Sequence, residues 1–124
     1  MKYVIARSAL VLRDKTISLF AGDCVGQKIT ALAILHVFDF PLVLPEITSL
    51  QTAVRRVADT YLAEAEDYGY SPDICGYVKA DMAVQLRGGQ HPMGQIPKPS
   101  VAVMSNACNT YIKWAEIWER MYGI

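Results

Sequence analysis

The chain is short of nearly everything that usually announces a function. Its 124 residues hold three cysteines and two histidines. An odd, widely spaced set (Cys24, Cys75, Cys108) excludes the disulfide framework of a small secreted domain, and no C-x2–4-C knuckle supports structural zinc. Twelve basic side chains balance twelve acidic ones, so no one-signed field suggests nucleic acid or an anionic membrane as a partner. No apolar run nears the ~20 residues that span a bilayer. The opening Met1-Lys2-Tyr3-Val4-Ile5-Ala6 starts like a signal peptide, but Arg7, Arg13, Asp14 and Lys15 interrupt it. The chain therefore reads as cytoplasmic. There is no Ser/His/Asp set, no HExxH and no paired-carboxylate arrangement, so conventional acid–base hydrolysis has no support. The stretch Ala21 to Lys28 fails as a phosphate loop: only three residues separate Gly22 from Gly26, and Gln27 and Ile29 flank the lysine. A strand-to-helix turn fits it better.

What is present is apolar and periodic. The apolar share, 52%, is high for one small domain and suggests surface that meets a partner or a further part of the same protein. Ile17 to Ala21 reads as a buried strand, Gly26 to Phe38 as a mostly buried helix, and Pro41 to Leu44 as a second strand. A long helix follows, capped by Thr48 or Ser49, carrying Leu50, Val54, Val57, Tyr61, Leu62, Ala65 and Tyr68 at steps of three and four, and stopped by Gly69. Ser71-Pro72 is a second start signal, for a helix ending at Gly88-Gly89. Residues 88–99 form a Gly/Pro loop, Ser100 to Met104 a third strand, and residues 109–122 a last helix with Tyr111, Trp114, Trp118 and Tyr122 on its apolar face. This alternation predicts an α/β fold, a doubly wound parallel sheet with flanking helices in a Rossmann-like lobe. Residues 1–16 stand apart as an N-terminal extension, and the helix running out at Gly123-Ile124 suggests that the 17–124 lobe is a fragment or one lobe of something larger.

The cysteines carry the chemistry. Cys75 and Cys108 lie 33 residues apart, and each opens a helix, where unpaired N–H groups suit the thiolate form that binds soft metals. Ligands in open parallel sheets gather beyond the carboxyl ends of the strands. Cys24 follows the first strand, Cys108 the third, and Cys75 starts a helix on the connection between them, so all three are placed for one edge. The remaining candidates have plainer readings. His36 belongs in a core or at its edge, His91 is a solvated loop residue, and Glu46 is either a first-turn carboxylate or faces the site. Trp114 and Trp118 are core or interface residues.

The wording around these cysteines resembles that of the 2-hydroxyacyl-CoA dehydratase and benzoyl-CoA reductase family. Gly69-Tyr70-Ser71-Pro72-Asp73-Ile74-Cys75-Gly76-Tyr77-Val78-Lys79 is similar to its first cluster-cysteine motif. Ile96-Pro97-Lys98-Pro99, a hydrophobic strand, then Cys108-Asn109-Thr110 and Lys113-Trp114 are similar to its second, and Leu44-Pro45-Glu46 to its proline–glutamate element. The resemblance covers roughly residues 17–124. It implies an oxygen-sensitive enzyme of two related subunits with a [4Fe-4S] cluster held by three cysteines. One iron is then open to water or to an acyl-CoA oxygen. It further implies single low-potential electrons from an ATP-hydrolysing iron–sulfur activator, used for radical reduction or dehydration of an acyl-CoA substrate. By motif, Cys75 and Cys108 are two ligands. The family's third cysteine lies in a downstream lobe that this sequence does not contain, and Cys24 is the substitute within it, though no family motif assigns it. The wording of residues 75–114 leans toward the reductases. The rival reading is a non-catalytic assembly or partner subunit that keeps the lobe without a cluster, and a nucleotide-binding module using Lys28 is a third.

Overall fold

A computed structural model of the chain describes residues 17–20, 37, 42–104 and 108–124, with 17–20 and Met104 as backbone alone. Three parallel strands form one sheet: β1 (Ile17–Phe20), β2 (Leu42–Val43) and β5 (Val101–Met104), in the order β2-β1-β5. Ile17 pairs with both Leu42 and Val101, and Phe20 with Met104. Parallel pairing demands long crossovers, and helices supply the one between β2 and β5. These are α1 (Pro45–Val54), α2 (Ala58–Tyr68) and α3 (Gly76–Leu86); α4 (Asn109–Tyr122) follows β5. The architecture is mixed α/β, in line with the sequence pattern. The helix expected over 26–38 lies outside the described residues.

The long helix of the sequence reading is two helices. It begins early, at Pro45, where a missing N–H costs nothing in the first turn. It then breaks at Arg55–Val57. Arg56 takes a left-handed conformation at φ 56°, its N–H bonds to Ala53 O, and the Val57 N–H reaches back to Thr52 O. That is a Schellman ending with arginine in the place glycine usually holds. Thr48 and Ser49 consequently lie inside α1 and cap nothing. The Thr48 hydroxyl bonds to Pro45 O, and the Ser49 hydroxyl donates to Tyr77 O in α3.

The same ending recurs with glycine. Tyr70 N–H bonds to Ala65 O past Gly69, and Gly89 N–H to Val84 O past Gly88. The Gly/Pro stretch that follows is no simple loop, because β3 (Gln90–His91) and β4 (Gly94–Gln95) pair as a small antiparallel hairpin. Gly89 closes it at φ 88°. A Cβ there would collide with the backbone oxygen of Ile96, so only glycine lets the two backbones meet.

Helix α3 is the centre of the packing. Every residue from Val78 to Gln85 is buried, polar ones included. Tyr61 and Ala65 of α2 pack on Ala80, Ala83 and Val84, while Trp114 and Trp118 of α4 pack on Val78 and Met82. Among the described residues no helix is long and apolar enough to cross a membrane.

Candidate metal centre

Cys75 is the N-cap of α3, one turn later than the Ser71-Pro72 signal suggests. Residues 71–74 form a turn instead: the Asp73 N–H reaches the Ser71 hydroxyl at 3.3 Å, and the Ile74 N–H bonds to Ser71 O at 3.1 Å. Lys79 anchors that turn from inside the helix. Its buried ammonium donates to Pro72 O at 2.9 Å and to Glu66 of α2 at 2.5 Å. Helix α3 then starts with Lys79 N–H on Cys75 O. The thiol makes no capping hydrogen bond and is exposed. It borders an open cavity of about 300 Å³ between α1, α2 and the first turn of α3, lined by Leu50, Ala53, Leu62 and Tyr77 among others.

Cys108 is the N-cap of α4, in extended conformation, with its thiol likewise exposed and uncapped. It stands beyond the carboxyl end of β5. Among the described residues, helix α4 packs on the core with Tyr111, Trp114, Ile117, Trp118 and Tyr122. Trp114 and Trp118, one turn apart and each 1% exposed, both donate their indole N–H to one oxygen of Asp81, at 2.7 and 2.8 Å. Gln85 donates to the other oxygen at 3.0 Å and accepts from the Tyr122 hydroxyl at 2.6 Å.

That network fixes how the two helices lie. Along α4 the contacts run Trp114, Trp118, Tyr122; along α3 their partners run Asp81, Asp81, Gln85. Both series advance together, so the helices run in the same sense and their N-termini share one end. Cys75 precedes Asp81 by six residues and Cys108 precedes Trp114 by six. The register therefore brings both N-cap cysteines to one end of the helix pair, the end at which β5 leaves the sheet.

Burial pushes the Asp81 carboxyl up to about 6, against the opposing pull of its three N–H donors. Tyr122 is raised as well, by burial first and by the nearby Asp81 second. Sequence reading missed Asp81 altogether. The signal was there: two tryptophans one turn apart on an apolar face need acceptors for their N–H groups.

The other candidates divide. Cys24, His36 and Lys28 lie outside the described residues. His91 is buried, at 8% exposure, rather than solvated. Its Nε2–H donates to Thr48 O at 2.8 Å, and its Nδ1 accepts the Met93 N–H at 3.1 Å, so it ties the hairpin to α1. Glu46 lies in the first turn of α1, half-buried. Trp114 and Trp118 are core residues, as the apolar spacing suggests. Among the described residues no group of three His, Cys, Asp or Glu side chains is placed to hold a metal. Two exposed thiols at one end of a helix pair fit part of a ligand set for a thiolate-bound iron–sulfur group.

Comparison with known proteins agrees with these motifs. Residues 30–124 match the family model described as 2-hydroxyglutaryl-CoA dehydratase, D-component. The chain is 34% identical over 111 residues to a subunit of the benzoyl-CoA reductase of Thauera aromatica, covering 88% of this chain and 24% of that protein. It is 38% identical over 77 residues to the (R)-phenyllactyl-CoA dehydratase alpha subunit of Clostridium sporogenes, covering 60% and 18%. Against the (R)-2-hydroxyisocaproyl-CoA dehydratase alpha subunit of Clostridioides difficile it is 28% identical over 81 residues, covering 65% and 20%. The chain thus spans a quarter or less of the length of these curated relatives. With the family model covering most of its residues, the chain belongs to the 2-hydroxyglutaryl-CoA dehydratase D-component family.

Proposed function

We propose that this chain is the cluster-binding lobe of a benzoyl-CoA reductase or 2-hydroxyacyl-CoA dehydratase type subunit, with Cys75 and Cys108 as two thiolate ligands of a 4Fe-4S group. The reading is carried by two exposed N-cap thiols on helices whose contacts advance in the same sense, each inside a family-like motif. Such a group would supply one-electron, low-potential chemistry at these residues. Cys24, or a residue outside this chain, completes the ligand set. The sheet, parallel with β1 between β2 and β5, is then the start of a Rossmann-like, doubly wound layer whose carboxyl edge faces the group.

The chain's own residues hold the site. Lys79 and Ser49 fasten the first turn of α3 to α2 and α1, and Asp81 fastens α4 to α3. The open cavity beside Cys75 is lined mostly by apolar side chains. The acyl-CoA substrate, the homologous second subunit and the ATP-hydrolysing iron–sulfur activator belong to the same reading. The relatives support it by being subunits of acyl-CoA reductase and dehydratase enzymes.

The test is EPR of the anaerobically purified, dithionite-reduced protein, together with the activity of its assembled complex. A reduced-cluster signal that Cys75→Ser and Cys108→Ser each abolish or reshape supports the proposal. No signal, with both variants harmless to the complex, leaves the rival: an assembly subunit that keeps the lobe and no cluster. That rival draws on the lack of a three-ligand group among the described residues.

A further inference from the structure

We infer that Asp81 is a positioning residue for the two cysteines: by accepting both indole N–H groups it sets the axial register of α4 on α3, and with it the spacing of Cys75 and Cys108. This rests on the reading of those cysteines as paired ligands. Neither the motifs nor the relatives assign Asp81 a role.

The geometry is specific to register. One carboxylate oxygen takes two donors spaced one helical turn apart, Trp114 and Trp118. The other takes Gln85, which in turn holds the hydroxyl of Tyr122 two turns beyond Trp114. Sliding α4 by one turn, about 5.4 Å, leaves at most one indole on the carboxylate and takes Tyr122 away from Gln85. The apolar part of the contact, rings on Val78 and Met82, is less selective, because burial as such is non-directional. A carboxylate in a dry interface is costly, and fixing register is the best-attested use of such a group. Helix α4 also needs it more than α3 does, since α3 is already held on its far side by Ser49, Glu66 and Glu64.

Both cysteines lie six residues upstream of this node on their own helices. Any slip or splay at Asp81 is passed to them along two rigid rods. Groups that set the position of metal ligands without touching the metal contribute to metal affinity.

The experiment uses the full chain with Cys24→Ser, nitroxide-labelled at Cys75 and Cys108, with the interspin distance read by double electron–electron resonance. The parent should give one narrow distribution. Asp81→Ala should broaden it or shift it by about a turn, ~5 Å. Asp81→Asn should restore most of the narrow form, since its amide oxygen still accepts both indoles once Gln85 turns over. Should Asp81→Ala fail to fold, the Trp114→Phe/Trp118→Phe double variant removes the donors and keeps the rings; it should broaden the distribution too. A distribution as narrow as the parent's in every folded variant, with only the melting temperature lowered, overturns the inference. Iron per unlabelled chain after anaerobic reconstitution is the second readout. It should fall in Asp81→Ala and recover in Asp81→Asn. If the parent takes up no iron while the distances still respond to Asp81, the positioning stands and the ligand reading fails.

Discussion

The two cysteine-bearing helices are built differently. Helix α3 lies inside the protein: eight consecutive buried residues, a lysine and an aspartate among them, face α1 and α2 on one side and α4 on the other. The start of α3 is pinned by Ser49 and Lys79, and its end by Arg87, which pairs with Glu64 and lies 4.0 Å over the Tyr61 ring. Helix α4 lies on the outside, with only Trp114 and Trp118 fully buried, and an exposed ion pair between Lys113 and Glu116 on its far face. Exposed pairs of that kind hold little. The difference teaches that the two halves of the candidate site are stabilised by different means. Cys75 is placed by a web of hydrogen bonds that ties its motif to α1 and α2, and Cys108 by two indoles meeting one distant carboxylate.

Breaking the weaker-held side should have the largest effect. Trp118→Ala removes a fully buried ring and a donor to Asp81, and should cost about 3–5 kcal/mol in urea unfolding. In protein that still folds, α4 should detach first, seen as loss of amide-exchange protection over 109–122 before 76–86.

On the other side, Lys79→Met leaves the helix packed but releases Pro72 O and Glu66. A loss of about 1–3 kcal/mol is expected. Thiol-labelling kinetics should then show faster reaction at Cys75 and an unchanged rate at Cys108. Equal acceleration at both would mean that the two ends are not held separately.

The node between them should show in pH. Asp81 is raised to about 6 in the folded protein, from an ordinary value of 3.8. The folded state therefore binds this proton more tightly than the unfolded chain does. Its contribution is fully present below pH ~4 and is lost as pH rises through about 6. Compared with Asp81→Asn, the parent should lose stability between pH 4 and 7, on the order of 2 kcal/mol. Parallel stability curves for the two proteins would show that the carboxyl does not titrate there.

The smallest effect is expected at the break between α1 and α2. Arg56→Gly relieves a left-handed arginine and should stabilise the protein by about 1 kcal/mol, without changing labelling at either thiol.

What could be read from sequence follows this division. Helix α4 was legible to the residue, because Tyr111, Trp114, Trp118 and Tyr122 recur at helical spacing between a cysteine cap and Gly123. The parallel strands were legible as short apolar runs. The break at Arg55–Val57 was not, since no glycine or proline marks it and the apolar period continues across it. Nor was the hairpin at 90–95, whose pairing depends on Gly89 meeting the Ile96 backbone. The two cysteines stood out by local wording. Asp81 did not, because its meaning lies in residues 33 and 37 positions downstream.

The most direct measurement is iron and acid-labile sulfide per chain after anaerobic reconstitution, comparing the parent with Cys75→Ser, Cys108→Ser and Cys24→Ser. The expected result is a cluster's worth of both in the parent, lost on replacing either Cys75 or Cys108. Iron and sulfide that stay unchanged in both of these variants would contradict the placement of Cys75 and Cys108 as ligands.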